Sequence, residues 1–199
     1  MIEAFLGAMF FGLASYIGIL LAGTISTEPF DDGPAPAEPP VRWILVGAAL
    51  VGALAAGRSD SAQHIVMQAV IICSLSAIWC TDMRYGIVPD AFTLIPLAII
   101  AGLALAQHDI WPMVSAVVAF VPFAAMAIAS KGHGMGWGDV KLAALGGAVL
   151  GFETALLAFA VGAIVAVLYA FARRRQREVI AFAPYLAGAI AVALPLSSL

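Results

Sequence analysis

Gly134-Met135-Gly136-Trp137-Gly138-Asp139-Val140-Lys141-Leu142 joins two long apolar runs. Glycines at alternate positions lead to a carboxylate, and a lysine follows two residues later. From Leu142 to Phe152 the chain is apolar, interrupted only by Gly146, Gly147 and Gly151. Apolar sequence on both sides makes this stretch a membrane boundary. An acid at such a boundary is expensive, so Asp139 is read as functional by default.

Outward from that stretch, apolar runs fall at 4–23, 43–57, 63–81, 91–107, 111–129, 142–151, 153–172 and 179–197. A helix needs about 17–25 residues to cross the hydrocarbon core. The 199 residues are 63% hydrophobic and only 11% charged, whereas soluble domains carry roughly a quarter charged residues. The pattern predicts an all-α polytopic membrane protein with about eight transmembrane helices and no soluble domain of useful size. The second run is short, with Arg42 and Arg58 placed to snorkel from its ends. The sixth is shorter still, and starting below the membrane surface is tolerated only where protein or a water-filled cavity surrounds it. Met1-Ile2-Glu3 lacks the basic start of a secretory signal, so the first run is expected to remain as a span. Residues 1–62 then hold two N-terminal spans, and residues 63–199 form a six-helix core.

Basic residues orient the chain. With the Asp82 loop in the cytoplasm, alternation places Arg42, Arg84, Lys131, Lys141, Arg173, Arg174, Arg175 and Arg177 inside and only Arg58 outside. Both termini are therefore expected on the outer side. The first inner loop, 24–41, is acidic and Pro-rich, and reads as an extended linker. Arg173–Arg177 reads as a topology anchor drawn to anionic lipid. Cys73 and Cys80 share one apolar run, form no metal-ligand spacing, and read as small core residues. His64, His108 and His133 form no ligand set, so no metal or cofactor is expected. The formal net charge is −3, and no nucleic-acid partner is expected.

Two acids stand at span edges on the same expected side: Asp82 at the end of the third run and Asp139 at the start of the sixth. Carboxylates sharing a partly dry site cannot easily both ionise, and they hold one proton as a unit. That arrangement suits peptide hydrolysis, in which one carboxylate takes a proton from water while the other protonates the scissile carbonyl. Asp139 near a helix N-terminus tends toward the base role, and Asp82 near a helix C-terminus toward the proton-bearing role. Gly134, Gly136 and Gly138 permit backbone conformations closed to other residues and close approach of a substrate or helix. A second reading stays open: both acids cap helices or pair with Arg84 and Lys141. Tyr85 and Trp137 read as interface anchors or as contacts to substrate.

Asp82-Met83-Arg84, followed by Val88-Pro89-Asp90, resembles the first aspartate motif of the type IV prepilin peptidases. Gly136-Trp137-Gly138-Asp139-Val140-Lys141 resembles their second motif, Gly-x-Gly-Asp-x-Lys, and Phe182-Ala183-Pro184-Tyr185-Leu186-Ala187 is similar to a segment of their last span. The resemblance covers about 63–199. It implies a membrane aspartyl endopeptidase of the bacterial inner membrane that removes the short leader of prepilins or pseudopilins at the cytoplasmic face. Asp82 and Asp139 carry over as the catalytic pair, with Gly136, Gly138, Lys141, Pro89, Pro184 and Arg84 as supporting motif members. Bifunctional relatives carry a domain with two Cys-x-x-Cys pairs between the first two spans. The loop 24–41 has no cysteine, so neither that zinc site nor N-methyltransferase activity is expected. The alternative from another class is a non-catalytic membrane scaffold or proton-coupled transporter.

Overall fold

A computed structural model describes residues 1–25, 38–58, 61–130, 135–172 and 181–197. Most of the acidic loop, Asp60, Lys131, His133, Gly134 and the Arg173–Arg177 cluster lie outside the described residues. Among those described there is no strand. Each apolar run holds one helix: α1 (Ile2–Gly23), α2 (Val41–Ala56), α3 (Ala62–Tyr85), α4 (Asp90–Ala106), α5 (Trp111–Ala129), α6 (Trp137–Leu150), α7 (Phe152–Ala172) and α8 (Ala183–Ala193), which ends in a 3₁₀ turn. Four of them, α1, α3, α5 and α7, are long and apolar enough to cross a membrane; α2, α4 and α8 are shorter apolar helices.

The helix ends follow local chemistry. The third apolar run stops at 81, yet α3 continues to Tyr85. The Thr81 hydroxyl causes no break there, because it donates to the Ala77 and Ile78 carbonyls within the helix. The helix stops at Gly86, which is left-handed at φ 67° and whose N–H donates to the Asp82 carbonyl at 2.9 Å. Glycine takes that conformation without a Cβ penalty. Only Ile87, Val88 and Pro89 then separate it from α4.

Small residues set the packing. Gly7 of α1 and Gly52 of α2 face one another so closely that a Cβ on either would reach the other's carbonyl oxygen. Gly147 of α6 meets Ser115 and Ala119 of α5 in the same way. In a membrane such close approach, and not hydrophobicity, drives helix association. α1 packs on α2 and α3, α5 on α6, and α7 on α8.

At the centre is α6, in which every residue from Leu142 to Leu150 is buried. Its 14 residues rise about 21 Å at about 1.5 Å per residue, short of the roughly 30 Å hydrocarbon core. Contacts with α4, α5, α7 and α8 supply the protein environment that a short buried helix needs. Outward faces remain apolar, with Phe5, Leu13, Val121, Ile128, Leu157 and Leu168 all exposed. Apolar surface on this scale suits lipid and not water. Cys80 packs with Ile19, Ala22, Ile44 and Ala77, as a small core residue would.

Candidate active site

Asp82 occupies the last turn of α3 and Asp139 the first turn of α6. The two residues are 57 positions apart in the chain, yet the fold brings them close enough for the charge of Asp139 to act on Asp82. Asp82 is buried, and its Oδ2 has no hydrogen-bond partner among the described residues. Asp139 is half-buried.

Backbone groups hold each carboxylate. Asp139 is the third residue of α6, and its side chain curls back toward the N–H of Gly136, the residue capping the helix. This is half of a capping box, and an anion there also complements the helix dipole. The capping reading therefore applies to Asp139. Asp82 has the N–H of Ala183 beside it, the first residue of α8. The C-terminal end of α3 and the N-terminal end of α8 thus act on Asp82 in opposite directions. Helix ends alone do not decide which carboxylate bears a shared proton.

The pairing reading fails at Lys141. Its Nζ contacts Asp90 Oδ1 at 2.5 Å, not Asp139. Arg84 is half-buried and makes no ion pair among the described residues. Among the described residues no cation forms an ion pair with either acid.

The expected role of the glycines needs correction. Gly136 adopts ordinary extended backbone, φ −75° and ψ 150°, and Gly138 lies within the helix. Neither has a positive φ, so at these positions no conformation closed to other residues is used. Close approach is what Gly138 provides: a Cβ there would stand 2.7 Å from the Val88 Cβ. At Gly136 the nearest atom, Asp139 Oδ2, would be 3.7 Å away, an ordinary contact. Pro89 is extended, φ −66° and ψ 136°, immediately before α4. Pro184 sits in the first turn of α8, where its missing N–H is harmless. Trp137 is exposed and Tyr85 half-buried.

The Asp90–Lys141 pair, the Val88–Gly138 contact and the Ala183 N–H at Asp82 were not foreseen. Asp90 and Lys141 both stood in motifs, but nothing local in sequence joins them.

Beside Pro184 opens an apolar groove of about 560 Å³ between α2 and α3 on one side and α7 and α8 on the other. Trp43, Ile72, Trp79, Val161, Tyr185 and Gly188 help to line it. Among the described residues no group of three or more His, Cys, Asp or Glu could hold a metal ion.

A family model described as the type IV leader peptidase family matches residues 69–171, more than half of the chain. The chain belongs to that family. The match contains Asp82, Val88 to Asp90, and Gly136 to Lys141; it stops before the segment at 182–187. Membership and the apolar helices together make this a leader-peptidase-like protease of a membrane. Neither a curated protein nor a solved structure matches the chain.

Proposed function

We propose that this leader peptidase is an aspartyl endopeptidase that removes the short leader from type IV prepilins or pseudopilins, with Asp82 and Asp139 as its catalytic pair. The observation that carries the reading is the approach of these two acids, buried or half-buried and close enough for the charge of Asp139 to act on Asp82, with no ion pair to either acid among the described residues. One carboxylate takes a proton from a bound water, and the water oxygen attacks the scissile carbonyl carbon. The other carboxyl gives its proton to the carbonyl oxygen. The tetrahedral adduct then collapses, the C–N bond breaks, and a proton returned through the pair lets the amine leave.

On this reading the chain crosses a bacterial inner membrane eight times, with both termini outside and the aspartates at the cytoplasmic face. The Lys/Arg distribution supports that orientation. Leader cleavage then occurs on the cytoplasmic side, and the apolar segment following the scissile bond lies in lipid. The groove lined by Pro184 offers it an apolar wall, although neither aspartate lines that groove. The partners are the substrate and the bilayer, not nucleic acid. No separate observation favours the scaffold or transporter reading.

The test is co-expression of a prepilin with wild type, Asp82→Asn or Asp139→Asn, followed by mass measurement of the pilin. Both variants are expected to leave the leader attached. Cleavage retained in either one removes the catalytic-pair reading.

A further inference from the structure

The helices that carry the two aspartates share no extensive contact. α4 and α8 each pack against both α3 and α6, so the spacing of the acids is set through intermediaries. The shortest tie runs through the start of α4. From Asp82 the chain passes the Gly86 cap and the turn at Val88-Pro89, and reaches Asp90 eight residues later. Asp90 binds Lys141, which is two residues beyond Asp139 on the same helix. Next to this ion pair, Val88 rests on the bare backbone of Gly138.

We propose that the Asp90–Lys141 ion pair is a positioning device that fixes Asp139 opposite Asp82, making both of its members positioning residues. The proposal rests on the catalytic-pair reading above. Neither member touches a carboxylate of that pair in its observed contact. Lys141 is occupied by Asp90, which leaves the two acids without an ion-pair partner among the described residues while tying α6 to α4, the helix that follows Asp82. Asp90 and Lys141 side chains are 61% and 32% exposed, so solvent weakens the pair. Exposed ion pairs hold by up to about 1 kcal/mol, about fivefold in population. Misplacement of reacting groups by about 1 Å can itself cost about 100-fold, so loss of the pair should register in rate before it registers in folding.

The test uses the full chain in lipid with a prepilin substrate. Asp90→Asn, Lys141→Gln and the double variant are compared for kcat, KM and unfolding temperature. Each single variant is expected to lower kcat about fivefold, with KM unchanged and the unfolding temperature lowered by no more than about 2–4 °C. The double variant should be no worse than either single one, because both remove the same interaction. High salt should lower wild-type kcat toward the variants and leave theirs unmoved, as screening shortens from about 10 Å at 0.1 M to about 3 Å at 1 M. The proposal is overturned by wild-type kcat in either single variant, by additive losses in the double, or by a salt response that the variants share. A raised KM confined to Lys141→Gln also overturns it, since Lys141 would then be holding substrate. Asp82→Asn serves as the separate control. If it still cleaves, the catalytic-pair reading has failed; if it is inactive while Asp90→Asn and Lys141→Gln are normal, only this proposal has.

Discussion

Gly138→Ala is the sharpest perturbation of how the two motifs dock. The new Cβ would lie 2.7 Å from Val88 Cβ and 3.0 Å from Val88 Cγ2. Carbon atoms rest at about 3.5–4.0 Å, so the two backbones must separate by about 1 Å. Rotating Val88 does not help, because its Cβ is fixed to the chain. If the contact holds, the overpacking costs about 1–3 kcal/mol. If it yields, Asp139 shifts with α6, and a displacement of about 1 Å can cost about 100-fold in rate. Alanine also favours the helix over glycine by about 1 kcal/mol, which offsets part of any loss in stability. The variant should therefore remain folded, anchored by the buried Leu142–Leu150 segment, and cleave about 10- to 100-fold more slowly. Gly136→Ala is the matched control. Its Cβ would be 3.7 Å from the nearest atom, and its backbone is one that alanine adopts readily, so cleavage should stay within about twofold of wild type. Single-turnover cleavage of a prepilin in lipid, with unfolding temperatures in parallel, reads both variants. Wild-type cleavage by Gly138→Ala, or greater damage from Gly136→Ala, refutes the reasoning.

Gly147→Ala would place a Cβ 2.6 Å from both Ala119 Cβ and the Ser115 carbonyl oxygen; a thermal melt in lipid should show a loss of about 1–3 kcal/mol. Gly86→Ala must hold φ 67° with a side chain present, at about 1–2 kcal/mol, and should show the loss in the same assay. A chelator should leave cleavage unchanged, and inhibition would point to a metal in the reaction. For orientation, Gln107→Cys and Ser130→Cys in a cysteine-free background should react with an impermeant thiol reagent from outside and inside respectively. The reverse pattern inverts the expected topology.

Existence and order of the helices were legible because each is one unbroken apolar run. Their ends were less so. Nothing apolar marks the extension of α3 from 81 to Tyr85; the Gly86 turn does, and it was visible only as a glycine. The pairing of Asp82 with Asp139 was legible from their places at span edges on one expected side and from the matching motifs, and the fold supplies the proximity. What sequence hid is long-range by nature. Lys141 sits two residues from Asp139, so local reading offers Asp139 as its partner, whereas the fold gives it Asp90 from α4. Likewise, alternating glycines suggest one shared purpose. Only the neighbouring Val88 separates Gly138, which has no room for a side chain, from Gly136, which has.

The two aspartates also differ in how well they are satisfied, and that difference has a measurable consequence. Asp139 is half-buried and anchored by the Gly136 N–H at the positive end of its helix. Asp82 is 6% exposed, and its Oδ2 has no partner among the described residues. A buried acceptor without a donor costs about 1–3 kcal/mol, and the facing carboxylate adds repulsion. Asp82→Asn abolishes any charge at this buried position, and with it the repulsion between the two acids. Asp139→Asn instead takes an anion from a helix N-terminus, where it is worth about 0.3–1 kcal/mol. Both variants should be inactive, but they should move stability in opposite directions: Asp82→Asn should unfold at a higher temperature than wild type, and Asp139→Asn at the same temperature or lower. A rise for Asp82→Asn is the expected signature of a site that keeps an unsatisfied acid for chemistry at the expense of stability. A fall would mean that Asp82 is held by its surroundings as a structural acid, and that the free oxygen is not waiting for a substrate or water.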